Sequence, residues 1–242
     1  MKKTNKFSVK KIEKAHNVLL KEALPKAIIE SVIEEVPILG WVKKVVDKTS
    51  DKIKEGCLLK FIYAMYEDID MLKGKFNPKW LNTLEGNHYC IKVVSTATNG
   101  ENIEKIDYFA HANINASHGL VSTPLVTKYK FVDILKNLSL LDLKILARFK
   151  KYVEPNALEN GYRQVEIGDV LPSLADEYST GIIEASFINL VNNGVLSRIS
   201  SWDKTVTPRG NKYEAAEKLG DYDGAYYTHF TMEFVKFITQ HK

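Results

Sequence analysis

The side chains with the most chemistry to offer are few and scattered. His88 and Cys90 lie two positions apart, with His111 and His118 further along. Zinc takes imidazole and thiolate ligands, but a structural site needs a second matching pair. No second cysteine stands near Cys90, so this set reads as separate surface and core groups. Glu67, Asp68 and Asp70 form a small acidic cluster. Paired carboxylates can bind a divalent cation or move protons. On a helix Glu67 and Asp70 share a face while Asp68 points elsewhere, so a solvated face is expected. No Gly-rich phosphate loop, nucleophile elbow or metalloprotease motif is present. The sequence assigns no catalytic residue, no metal ligand and no cofactor, and an enzyme is not expected.

Two further groups are candidates for binding. Arg198, Lys204, Arg209 and Lys212 gather in one polar stretch and are the candidate nucleic-acid contacts. They are interleaved with Asp203, Glu214, Glu217, Asp221 and Asp223. Ile38, Leu39, Trp41, Lys43 and Lys44 form an apolar and basic cluster, the candidate membrane or partner contact.

The elements that must carry the first group lie in residues 131–242. They read as helix, helix, helix, strand, wing, strand, helix, the order of a winged helix-turn-helix. Leu135, Leu138, Leu141, Ile145 and Phe149 recur at helical spacing. Ser139 followed by Asp142 supplies an N-cap with an acid in the first turn. Residues 165–170 suit a strand or a loop, and 169–178 a short second helix. Ser179 and Thr180 open the third helix, with Ile183, Phe187 and Leu190 in its buried stripe. Asn193-Gly194 ends it, because both residues tolerate a left-handed backbone. Strands are expected at 195–202 and 225–230, a long wing at 203–224, and a closing helix at 231–240.

Charge argues against duplex binding by this unit. Lysine and arginine neutralise phosphates in such complexes. The expected third helix, 179–193, holds no Lys and no Arg and carries Glu184. Residues 131–242 hold 13 basic and 15 acidic groups, a net of −2. Only Arg148, Arg163, Arg198 and Arg209 supply the planar fork that reads phosphates and bases. Nucleic acid is therefore a disfavoured partner, and a DNA-binding regulator is the second reading.

The first half of the chain is helical and basic. Residues 1–60 carry 14 Lys against 8 acids, a net of +6. Amphipathic stretches at 9–23, 25–36 and 41–53 flank the Pro37-Ile38-Leu39-Gly40 turn. A basic helix with a tryptophan can lie on lipid. Spanning is not expected, since Lys26, Glu30, Glu34, Glu35, Lys43 and Lys44 interrupt the apolar run. A membrane is a disfavoured partner, and a peripheral membrane effector is the third reading. Two cysteines imply no disulfide framework. A cytoplasmic setting is expected, with no secretory signal. The division reads as a basic amphipathic segment at 1–55, a helical domain at 56–118, a linker at 119–130 around Ser122-Thr123-Pro124, and a winged-helix-like domain at 131–242. The fold class is mainly α, a helical N-terminal half followed by a C-terminal winged-helix-like α+β domain.

Several strings carry a resemblance. They are 104–110 (Glu-Lys-Ile-Asp-Tyr-Phe-Ala), 131–135 (Phe-Val-Asp-Ile-Leu), 138–146 and 192–196 (Asn-Asn-Gly-Val-Leu), with the early turn Val36-Pro37-Ile38-Leu39-Gly40. Together they resemble a loosely defined set of bacterial and phage-borne proteins, some grouped with abortive-infection, or phage-resistance, proteins. The resemblance implies a role in phage–host conflict and brings no established site. The first reading is thus a non-enzymatic interaction protein. Its expected partner is another protein, with self-association into a homo-oligomer, because the apolar faces of 28–46 need a covering surface.

Overall fold

A computed structural model of the chain describes residues 56–58, 60–65, 78–81, 83–118, 124–153, 162–198 and 224–239. The protein is mainly helical, with a small three-stranded antiparallel sheet towards its C-terminus. The chain divides into two compact units. Described residues up to Lys136, with those from Lys236 onward, form the first, and Asn137–Val235 form the second. The segment 1–55, with Ile38, Leu39, Trp41, Lys43 and Lys44, lies outside the described residues, as do the acidic cluster at 67–70 and residues 203–223 of the expected wing.

In the first unit, residues 56–58 and 60–65 are helical and bury Leu58, Phe61, Ile62 and Met65 at helical spacing. A short turn of helix, α1 (Pro78–Leu81), leads into α2 (Leu84–Ala97). Thr83 caps α2 by accepting from the Gly86 amide, 3.1 Å away. Gly86 is required sterically. A Cβ there would lie 2.0 Å from the Trp80 carbonyl oxygen. Val93 and Val94 weaken the helix locally, yet both are fully buried and packing overrides propensity. A 3-10 stretch, Gly100–Lys105, precedes α3 (Ile106–His118). Phe109, Ala110 and Ile114 of α3 lie in the core.

The expected linker at 119–130 needs correction. Residues 119–123 lie outside the described set, but Leu125–Asn137 is a helix, α4. Pro124 opens it: its carbonyl accepts from the Thr127 and Lys128 amides. Proline lacks a donor that a first turn does not need, so it starts helices as readily as it stops them. Lys128 hid the buried stripe. Its stem is buried and its ammonium donates to the Ala116 carbonyl at 2.9 Å.

In the second unit α5 (Leu140–Val153) starts directly after Ser139, the N-cap expected from the sequence, while Leu135 belongs to α4. The strand β1 (Tyr162–Glu166) follows, starting before the Val165 of the sequence reading. No α-helix occupies 169–178. That span holds two 3-10 turns, Ile167–Asp169 and Leu171–Ser173, and then plain turns. Pro172 and the brevity of the apolar pattern leave too few residues to repay helix nucleation. The helix α6 (Thr180–Asn192) ends at Gly194, whose φ is +70°. The Val195 amide then donates to the Leu190 carbonyl at 3.0 Å.

The strands β2 (Ser197–Arg198) and β3 (Gly224–Thr228) complete the sheet, and α7 (His229–Ile238) closes the chain. Sheet order is β1-β3-β2, antiparallel throughout. The register sets Tyr162 against Thr228 and Glu166 against Gly224, with Arg198 opposite Ala225. Helix α7 starts at His229, two residues before the expected 231. Thr228 and Thr231 cap it reciprocally, each amide donating to the other's hydroxyl.

Candidate functional site

The strongest candidate is the outward side of α6 together with what holds that helix in place. Its inward side buries Ile183, Ser186, Phe187 and Leu190. Phe187 meets Phe149 of α5 edge-on, with ring centroids 5.8 Å apart. Ser186 breaks an otherwise apolar stripe, and the reason lies on α5.

Asp142 is 1% exposed and has two roles. One oxygen accepts from the Ser139 amide at 2.6 Å, while the Ser139 hydroxyl accepts from the Asp142 amide at 3.1 Å. This is a reciprocal N-terminal cap with Asp in the third position. The same carboxylate accepts from the Ser186 hydroxyl and from the Asn189 amide, the latter at 2.7 Å. Asn193 extends the chain by donating to the Asn189 side-chain oxygen at 2.9 Å. Helix α5 therefore holds the azimuth of α6 through one carboxylate. A buried carboxylate is tolerated where donors and a helix N-terminus surround it.

A second support is exposed. Lys144 donates to Glu177 at 2.9 Å and to the Tyr178 hydroxyl at 2.8 Å, just before α6 starts. Those bonds push the Lys144 ammonium above its ordinary range and hold the Glu177 carboxyl below its own. Solvent screening leaves little net stabilisation in such a pair.

The side turned to solvent carries a single acid and is otherwise uncharged and mildly apolar. Thr180, Gly181, Ile182, Ala185 and Asn192 are exposed, with Glu184 as the one charge, and Ile182 is 54% accessible. A single apolar residue of that size on a surface needs no explanation. A helix face with no cation on it is informative, because neutralisation of phosphates by Lys and Arg drives much of duplex affinity.

Of the four basic residues singled out, Arg198 is exposed on β2. Lys204, Arg209 and Lys212 lie outside the described residues. Within the His/Cys set, His88 and Cys90 differ in burial. His88 is exposed, whereas Cys90 is fully buried and its thiol donates to the Asn113 side-chain oxygen at 3.0 Å. Burial pushes that thiol well above its ordinary range, which keeps it protonated and unreactive at neutral pH. Among the described residues no three metal-ligating groups cluster. Among those same residues no helix is long and apolar enough to cross a membrane.

Sequence reasoning found Asp142 as a capping residue and missed its partners. Ser186 and Asn189 stand three apart, so they share a helix face. A serine inside the stripe of Ile183, Phe187 and Leu190 was the available signal. No family model matches this sequence, and no curated protein or solved structure matches it.

Proposed function

We propose that the second unit is a winged-helix-like domain used for protein contact, and that the chain is a non-enzymatic interaction protein of phage–host conflict that associates with itself. The element order helix, strand, turns, helix, strand, strand, helix supports the domain assignment, as does the sheet order β1-β3-β2. The observation that carries the contact mode is the outward side of α6, which offers Ile182, Ala185 and Glu184 where a duplex reader offers lysine and arginine. Fold alone does not choose between DNA and protein, and the lack of Lys and Arg on the outward side of α6 supports protein contact. The phage–host setting rests on the resemblance of the sequence strings.

Light scattering on the full chain tests the reading. Self-association at micromolar concentration is expected, and Ile182→Glu should lower the mass without changing the circular dichroism. Ile182 is half exposed, so the substitution spares the core. A monomeric wild-type chain would remove the self-association. Binding to random duplex at about 50 mM salt, falling steeply as salt rises and weakened by Arg198→Ala, would replace the whole reading with that of a DNA-binding regulator.

A further inference from the structure

The chain leaves the first unit after Lys136 and re-enters it at Lys236. Both points are helix C-termini or lie within the last turn of one, where backbone carbonyls have no partner further along the helix. At each, a buried side chain from one continuous stretch, Gly100–His118, supplies the missing donor. Lys105 is 6% exposed, and its ammonium donates to the Leu135 carbonyl at 3.0 Å and the Lys136 carbonyl at 2.8 Å. Asn115 is 2% exposed, and its amide nitrogen donates to the carbonyls of Lys236, Phe237 and Thr239 at 3.1, 2.9 and 3.0 Å. Two amide hydrogens serve three oxygens, so at least one bond is shared. Between the two junctions Phe131 of α4 packs against Phe237 of α7, with centroids 5.1 Å apart.

We propose that Gly100–His118 acts as a double clasp, and that the exit and re-entry of the chain open and close as one event. The physical reason is shared support. Lys105 closes the 3-10 part and Asn115 lies in the last turn of α3, so both sit on one continuous run, and Phe109, Ala110 and Ile114 between them are core. Fraying of α4 strips Phe237 of its ring partner. Fraying of α7 strips Phe131 of the same contact and leaves the Asn115 donors buried without acceptors, which is costly. Neither end can loosen without weakening the other.

Native-state hydrogen exchange on the full wild-type chain, across a series of sub-denaturing urea concentrations, tests this. Amides of residues 133–137 and of 235–239 are expected to share one opening isotherm, equal in protection and in urea slope. Two distinct isotherms would overturn the proposal. Asn115→Leu, which keeps the volume and removes the donors, should lower protection about tenfold at the α7 end and also at the α4 end it does not touch. Loosening confined to 235–239 would overturn it equally. Should that variant not fold, the wild-type isotherms decide alone.

Discussion

The two units each set a buried charged side chain against a helix end, and they use opposite charges. In the first, a lysine covers the carbonyls that end α4. In the second, an aspartate covers the amide at the start of α5. Each sign matches the partial charge of the helix end it meets. The bonds described for Asp142 come from an amide, a hydroxyl and a carboxamide. Two ion pairs among the described residues, Lys92 with Asp133 and Lys144 with Glu177, have side chains 37–57% exposed. The contrast teaches that charge enters these cores as a complement to backbone dipoles. Its two versions differ in reach. Asp142 starts from a contact three residues away, whereas Lys105 spans 30 residues to Leu135.

Three substitutions break or sharpen that contrast. The largest effect is expected at Asp142→Ala, which removes a cap and orphans the Ser186 and Asn189 donors together. A loss of about 3 kcal/mol is expected, read as a lower urea midpoint at unchanged slope. A loss under about 1 kcal/mol would mean the node is solvated in solution. Lys105→Met keeps the buried stem and deletes the ammonium, with about 2 kcal/mol expected by the same measurement. If it costs more than Asp142→Ala, the ranking of the two units reverses. The smallest effect is expected at Tyr89→Phe. The Tyr89 hydroxyl is buried and has no hydrogen-bond partner among the described residues, and burial raises its ionisation well above the ordinary phenol range. Its ring packs between Trp80 and Tyr129, at 5.6 and 5.4 Å, and phenylalanine would keep both contacts. Thermal unfolding should show no loss and a gain of up to about 1 kcal/mol. A clear loss would reveal a partner for that oxygen.

What could be read from the sequence follows the same division by reach. Ser139 with Asp142 marked a helix start, and Asn193-Gly194 marked a helix end, because each signal acts within a few residues. The mainly helical class followed from periodicity of the same short range. The start of α4 was lost because Ser-Thr-Pro reads as a turn and Lys128 occupies a buried position. The turns at 167–178 were lost because leucine spacing there mimics a helix that is too short to form. The strand β1 was legible only in part, since its pairing partner β3 lies about sixty residues away in sequence. On the candidate surface, the missing cations of α6 were legible by composition. The carboxylate that aims the helix was not, because Ser186 and Asn189 are joined to Asp142 across 44 and 47 residues.

Gly86 sets a limit on how this sequence can drift over generations. With the Trp80 carbonyl 2.0 Å from where a Cβ would stand, any descendant that gains a side chain there must first surrender the turn from α1 into α2. Gly181, on the outward side of α6, has nothing within 4 Å of the same position. The scaffold is thereby held to its ancestry, while the surface through which it would meet other molecules stays open to innovation.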